Sequence, residues 1–136
     1  MLSPGKQHSL IPRSIKENLR YRLGTCKWTQ SDRALQAAIK SYCSLDILFW
    51  INTFVWQFNP RKRGSDLRVG PFVTWEFQDT AILEILAAIE DDEDLLIEKS
   101  REMGASWICL MVMLWLWLFH PWMKFHCISR NEKAVE

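Results

Sequence analysis

Nine consecutive residues, Lys99, Ser100, Arg101, Glu102, Met103, Gly104, Ala105, Ser106 and Trp107, have the side-chain types needed to hold a phosphate. A phosphate-binding loop consists of a buried strand, a turn whose backbone N–H groups point inward, and a helix whose N-terminus faces the anion. It also requires a cation for the β- and γ-phosphates and a hydroxyl for Mg²⁺. Leu95, Leu96 and Ile97 offer the strand, Gly104 a close backbone approach, Ser106 the hydroxyl, and Trp107 onward the helix. Against the general pattern G-x-x-x-x-G-K-[ST], Gly104 and Ser106 fit the second glycine and the hydroxyl. Lys99 stands where the first glycine belongs, and Ala105 where the lysine belongs. By pattern alone the match is partial.

The elements that must position this loop follow from periodicity. Residues 1–30 are polar and basic, punctuated by Pro4, Gly5, Pro12 and Gly24, and read as an arm with one short helix at Ser14–Leu23. Ser31 suits an N-cap, after which Leu35, Ala38, Ile39 and Tyr42 recur at helical spacing. Ser44 to Val55 is strongly apolar and predicts a short buried helix ending near Trp56. Residues 59–70 form the clearest loop, with Pro60, Gly64 and Gly70 around a basic run in which Arg61, Lys62 and Arg63 could touch DNA phosphates or simply be solvated. Thr74 then caps a helix from Trp75 to about Glu90, with Gln78, Ile82, Ile85, Leu86 and Ile89 on one face. Apolar runs at Asp94–Glu98 and Lys124–Ser129 bracket the helix after the loop. Strand, helix, strand in that order predicts a parallel sheet.

Bulk composition sets the bounds. The chain has 136 residues, 49% hydrophobic and 24% charged, which excludes a disordered or collagen-like polymer and permits one real core. Net charge is +1, but it is polarised: residues 1–70 hold 12 Lys/Arg against 4 Asp/Glu, and residues 71–136 hold 5 against 12. A basic half can dock phosphates or an acidic partner, or the halves can neutralise each other within one fold. Cys26, Cys43, Cys109 and Cys127 form no C-x-x-C pair and no metal-ligand spacing with His8, His120 or His126. Free thiols point to a reducing cytoplasm. Met103 to Met123 is a 21-residue stretch without Asp, Glu, Lys or Arg, long enough to be weighed as a membrane span. Its strictly apolar part, Trp107 to Phe119, is only 13 residues, which favours a buried core helix.

The string Glu98-Lys-Ser-Arg-Glu-Met-Gly-Ala-Ser-Trp107 resembles the deviant Walker A segment of phage terminase large subunits, the ATPases of DNA-packaging motors. In many of these the loop lysine is moved to the start of the loop, often with a Ser-Arg pair after it, as Lys99, Ser100 and Arg101 stand here. The long flexible lysine stem lets the ammonium reach the same phosphates from the new origin. Phe72-Val-Thr-Trp-Glu-Phe-Gln-Asp-Thr-Ala81 is similar to the family's adenine-binding stretch, in which an aromatic contacts the base and Gln78 would hydrogen-bond its edge. Asp46 to Arg61 is similar to a segment preceding the ATPase core, and Phe125 to Val135 to the next core strand and turn. The resemblance covers roughly residues 44–136.

It implies an α/β fold: a partial P-loop, RecA-like core at 71–136, preceded by a basic α-helical segment at 1–70. Lys99 and Arg101 would act on the phosphates, and Ser106 would meet Mg²⁺ through the nucleotide. Gln78 and residues Lys99 through Trp107 together would form the ATP site. Implied partners are double-stranded DNA, the portal and the small terminase subunit, with a homo-oligomer in the full-length motor and the host cytoplasm as the compartment. The family's acidic Walker B pair and its nuclease domain find no counterpart, since residues 108–136 contain no apolar run ending in Asp-Glu. The expectation is thus an N-terminal part that binds nucleotide weakly at most and hydrolyses little or none.

Each residue also has a plainer reading. Lys99 and Arg101 can be surface charges after an edge strand, Gln78 a hydrogen-bonded core glutamine, and Trp107, Trp115 and Trp117 packing residues. His120 and Pro121 would simply end the helix. For the whole chain, the alternatives are a membrane-associated protein anchored by 103–123 and a non-enzymatic module with a basic face. A core with only two strands would leave Trp107–Phe119 partly exposed and the isolated chain poorly soluble.

Overall fold

The computed structural model describes residues 6–59, 68–100 and 103–128. After a short 3₁₀ turn at Lys6–Leu10 come α1 (Ile15–Thr29), α2 (Arg33–Leu45) and α3 (Ile47–Phe54). Strands β1 (Trp56–Phe58) and β2 (Val69–Pro71) follow, then α4 (Glu76–Glu90) and α5 (Ala105–Phe119). The basic run Arg61–Arg63 and the residues from Ser129 onward lie outside the described residues.

Two aspartates set the helix boundaries. Asp32, rather than Ser31, caps α2 by accepting the Leu35 N–H at 3.0 Å. Asp46 closes α2 with its own N–H on the Tyr42 carbonyl and opens α3 by accepting the Phe49 N–H at 3.0 Å. The apolar segment from Ser44 to Val55 is therefore broken at one residue that ends one helix and starts the next. The carboxylate is almost wholly buried and also accepts the backbone N–H of His8 at 3.2 Å, its other side-chain partner there being His8 Nδ1 at 3.0 Å.

Seven of the eight residues of α3, Ile47 to Thr53, are buried. A helix apolar on every side has to sit in the middle of something. Around it pack α1, α2, the 3₁₀ turn and α5. From α5, Ile108, Met111, Val112, Trp115 and Leu116 enter the same core as Ile47, Leu48, Phe49, Trp50 and Ile51. Trp115 is 1% exposed, and its indole N–H donates to the Cys43 carbonyl at 2.6 Å, satisfying the one polar atom that a buried tryptophan brings.

The basic N-terminal region is built into this core. α1 extends to Thr29, well past the expected Leu23, and buries Asn18, Arg22 and Thr25. Arg22 donates to the carbonyls of Ile51, Asn52, Val55 and Phe72 and to Asn18 Oδ1, without a carboxylate. The first three of those carbonyls belong to the C-terminal end of α3, where the helix dipole favours a cation. Burial nonetheless lowers the guanidinium pKa from its ordinary value to about 10. Asn52 continues the network, its Oδ1 accepting the Thr74 N–H at 2.9 Å. Arg13 joins it from the surface, reaching the Thr74 carbonyl at 2.9 Å and Asp79 at 2.7 Å. Residues on both sides of the expected division at residue 70 thus share a single core and polar network.

β1 and β2 form an antiparallel pair with Gln57 opposite Gly70. No other strand occurs among the described residues, and the parallel sheet expected around α5 is not among them. Asp94–Glu98, expected as a strand, is irregular, and Leu96 is 94% exposed. Residues 124–128 of the second expected strand are irregular as well. Apolar β-prone residues are not enough: a strand needs a neighbour to take its backbone N–H and C=O groups, and no strand flanks either segment here. α5 matches its expected position and ends at His120, its C-cap. At 15 residues it is about 22 Å long, against a hydrocarbon core of roughly 30 Å. No helix among the described residues is long and apolar enough to cross a membrane. One side of α5 does remain uncovered, with Leu110, Leu114, Trp117 and Leu118 exposed.

Candidate functional site

The expected adenine segment and the expected phosphate loop meet at one point. α4 begins with Trp75 as N-cap, and its third residue, Gln78, folds back so that its Oε1 accepts the Trp75 N–H at 3.1 Å. This is the return half of a capping box. The same carboxamide is buried, and its Nε2 donates to the Met103 carbonyl at 3.2 Å, bridging 25 residues of chain. Gly104 follows, with φ 74° and ψ 14°, and its carbonyl accepts the first bond of α5 from Ile108. Glycine is required here twice over. The left-handed backbone disfavours any Cβ, and a Cβ would come within 3.2 Å of Gln78 Nε2.

Between these residues lies a cleft of about 460 Å³. Gln78, Gly104 and Trp107 form one wall, with Phe72, Val73 and Trp75 beside them. Gln57 and Asn59 of the β1 end, and Ile15 at the start of α1, complete the lining. Phe72 and Trp107 meet edge to face, ring centroids 6.4 Å apart at 81°. The Trp107 indole Nε1 is buried and has no hydrogen-bond partner among the described residues.

Among the described residues, none that lines this cleft is charged. Aromatic faces and carboxamides are the chemistry of a site for a flat, neutral heterocycle with donors and acceptors on its rim. The walls have the chemistry to receive such a ring. They do not by themselves fit a triphosphate, which needs cations.

The remaining expected site residues distribute as follows. Ala105 is the first residue of α5, and Ser106, in its first turn, is exposed and does not line the cleft. The backbone N–H groups of Ala105, Ser106 and Trp107 precede the first intrahelical bond, so they are the donors a helix N-terminus offers to an anion. Lys99 and Ser100 sit on exposed irregular chain outside the cleft lining, and Arg101 and Glu102 fall outside the described residues. The described residues contain no cluster of three or more His, Cys, Asp or Glu suited to a metal.

Six lining residues were not among the expected site residues: Ile15, Gln57, Asn59, Phe72, Val73 and Trp75, the last three of them within the expected adenine segment. Gln57 and Asn59 are two residues apart, so an extended chain projects both from one face. That signal was hidden because β1 is only three residues long and follows directly on the apolar helix α3. Comparison with known protein families, with curated proteins and with solved structures gives no match to this chain.

Proposed function

We propose that this chain is the N-terminal, nucleotide-binding part of a viral terminase large subunit, the ATP-driven motor that packages double-stranded DNA into procapsids. The observation that carries the reading is the Gln78–Met103 hydrogen bond beside Gly104, which joins the two most family-like segments at one uncharged, aromatic cleft. Adenine would occupy the cleft against Gln78. The phosphates would extend toward the N-terminus of α5, with Lys99 and Arg101 closing over them and Ser106 near Mg²⁺. In the assembled motor, Asp94–Glu98 and Lys124–Ser129, expected as strands, would pair within a P-loop core and cover the bare side of α5. DNA, portal and small-subunit contacts, and a place in the host cytoplasm, belong to the same proposal.

The test is equilibrium binding of a fluorescent ATP analogue in the presence of Mg²⁺. Lys99→Ala and Ser106→Ala should each weaken ATP at least fivefold and leave adenosine binding unchanged, because both act at the phosphate end. Gln78→Ala should weaken ATP and adenosine together. Adenosine and ATP binding with equal affinity to the unmodified chain, or no binding of either, would refute the proposal.

A further inference from the structure

We infer that Gln57 is a second base-binding residue of the cleft, one that holds a purine without choosing between adenine and guanine. The inference rests on the reading of the cleft as a nucleotide site. Its basis is the contrast between two carboxamides facing the same space. Gln78 cannot turn over: its Oε1 is engaged by the Trp75 N–H and its Nε2 by the Met103 carbonyl. What it has left is one lone pair on oxygen and one N–H. That fixed pair matches the N6 amino group and N7 of adenine and opposes the O6 and N7 acceptors of guanine.

Gln57 is in the opposite situation. It is exposed at the centre of β1, and no hydrogen bond engages its carboxamide among the described residues. Its cross-strand neighbour is Gly70, which has no side chain to crowd it and has nothing within 4 Å of where a Cβ would be. A carboxamide in open space can rotate by half a turn at little cost, exchanging donor and acceptor. In one orientation it accepts from adenine N6 and donates to N1. In the other it donates to guanine O6 and accepts from N1–H. Gln57 therefore adds affinity for either base, and Gln78 alone discriminates.

The experiment is displacement of a ribose-labelled ATP analogue by unlabelled ATP and by GTP, on the whole chain and on Gln57→Ala. Gln57→Ala should weaken ATP and GTP alike by at least about fivefold, as expected for two neutral hydrogen bonds at the low end of their range, and leave their ratio unchanged. Its thermal midpoint should stay at that of the unmodified chain, because the side chain is exposed and has no partner to lose. Unchanged affinity for both nucleotides would overturn the inference, and so would a shift in their ratio of more than about threefold. If the unmodified chain binds neither nucleotide, the underlying reading falls and this inference with it. If it binds ATP and Gln57→Ala is silent, only the role of Gln57 is lost.

Discussion

Gly104→Ala perturbs the junction between α4 and α5 in two separable ways. The left-handed backbone at φ 74° costs an alanine about 1–2 kcal/mol that glycine does not incur. The new methyl would also lie 3.2 Å from Gln78 Nε2, so the carboxamide must yield by a few tenths of an ångström. That movement stretches its bond to the Met103 carbonyl, already 3.2 Å long, and a neutral hydrogen bond of this kind is worth about 0.5–1.5 kcal/mol. The substitution should therefore destabilise the fold by about 1.5–3.5 kcal/mol, measured as the free energy of urea unfolding. A double-mutant cycle with Gln78→Ala divides the total. With the carboxamide gone, Gly104→Ala should cost only the backbone strain, about 1–2 kcal/mol, leaving a coupling of about 0.5–1.5 kcal/mol. A strictly additive cycle would refute the close-approach argument. A neutral single substitution would refute the backbone argument as well.

Two further outcomes are expected. Arg22→Met removes the donor that links α1 to the end of α3 and to Phe72, and should cost about 2–4 kcal/mol in urea unfolding. Arg22→Lys should recover less than half of that loss, because one ammonium cannot span the carbonyls that a planar guanidinium reaches. The alkaline limit of stability should be set in part by Cys43. Burial first, and Asp46 nearby second, raise its thiol from an ordinary 9.0 to about 12. The unfolded chain releases this proton first, so the stability is complete below pH 9 and declines as pH rises toward 12. Cys43→Ala should flatten that decline in a series of urea titrations between pH 8.5 and 11, and an equally steep decline in the variant would exclude Cys43 as its source.

The helices were legible in sequence wherever apolar spacing and a nearby cap agreed. α2, α4 and α5 fall within a few residues of their expected positions because intrahelical bonds are local and need only a short stretch of chain. The family resemblance singled out Gln78 and the loop pattern Gly104, but neither type nor spacing says that positions 78 and 104 lie side by side. The buried role of Arg22 left no trace in the sequence. A charged residue in a basic, proline-punctuated region reads as surface, and only the carbonyl-rich end of α3 makes its burial tolerable.

The expected strands mark the same division from the other side. Residues 95–97 have the composition of a buried strand, yet composition can specify only a preference for extended backbone. Pairing requires a second strand at about 4.8 Å, which is a property of the whole fold. The sequence by itself pointed to helices from Trp75 to about Glu90 and from Trp107 onward, with a glycine-led turn before the second, and these lie at Glu76–Glu90 and Ala105–Phe119. Tertiary structure alone decided that Gln78 would lock onto Met103, and that β1 would bring Gln57 to the same cleft as Phe72, Trp75 and Trp107. Hydrogen bonds within a helix close over four residues, whereas a cleft closes over the whole chain.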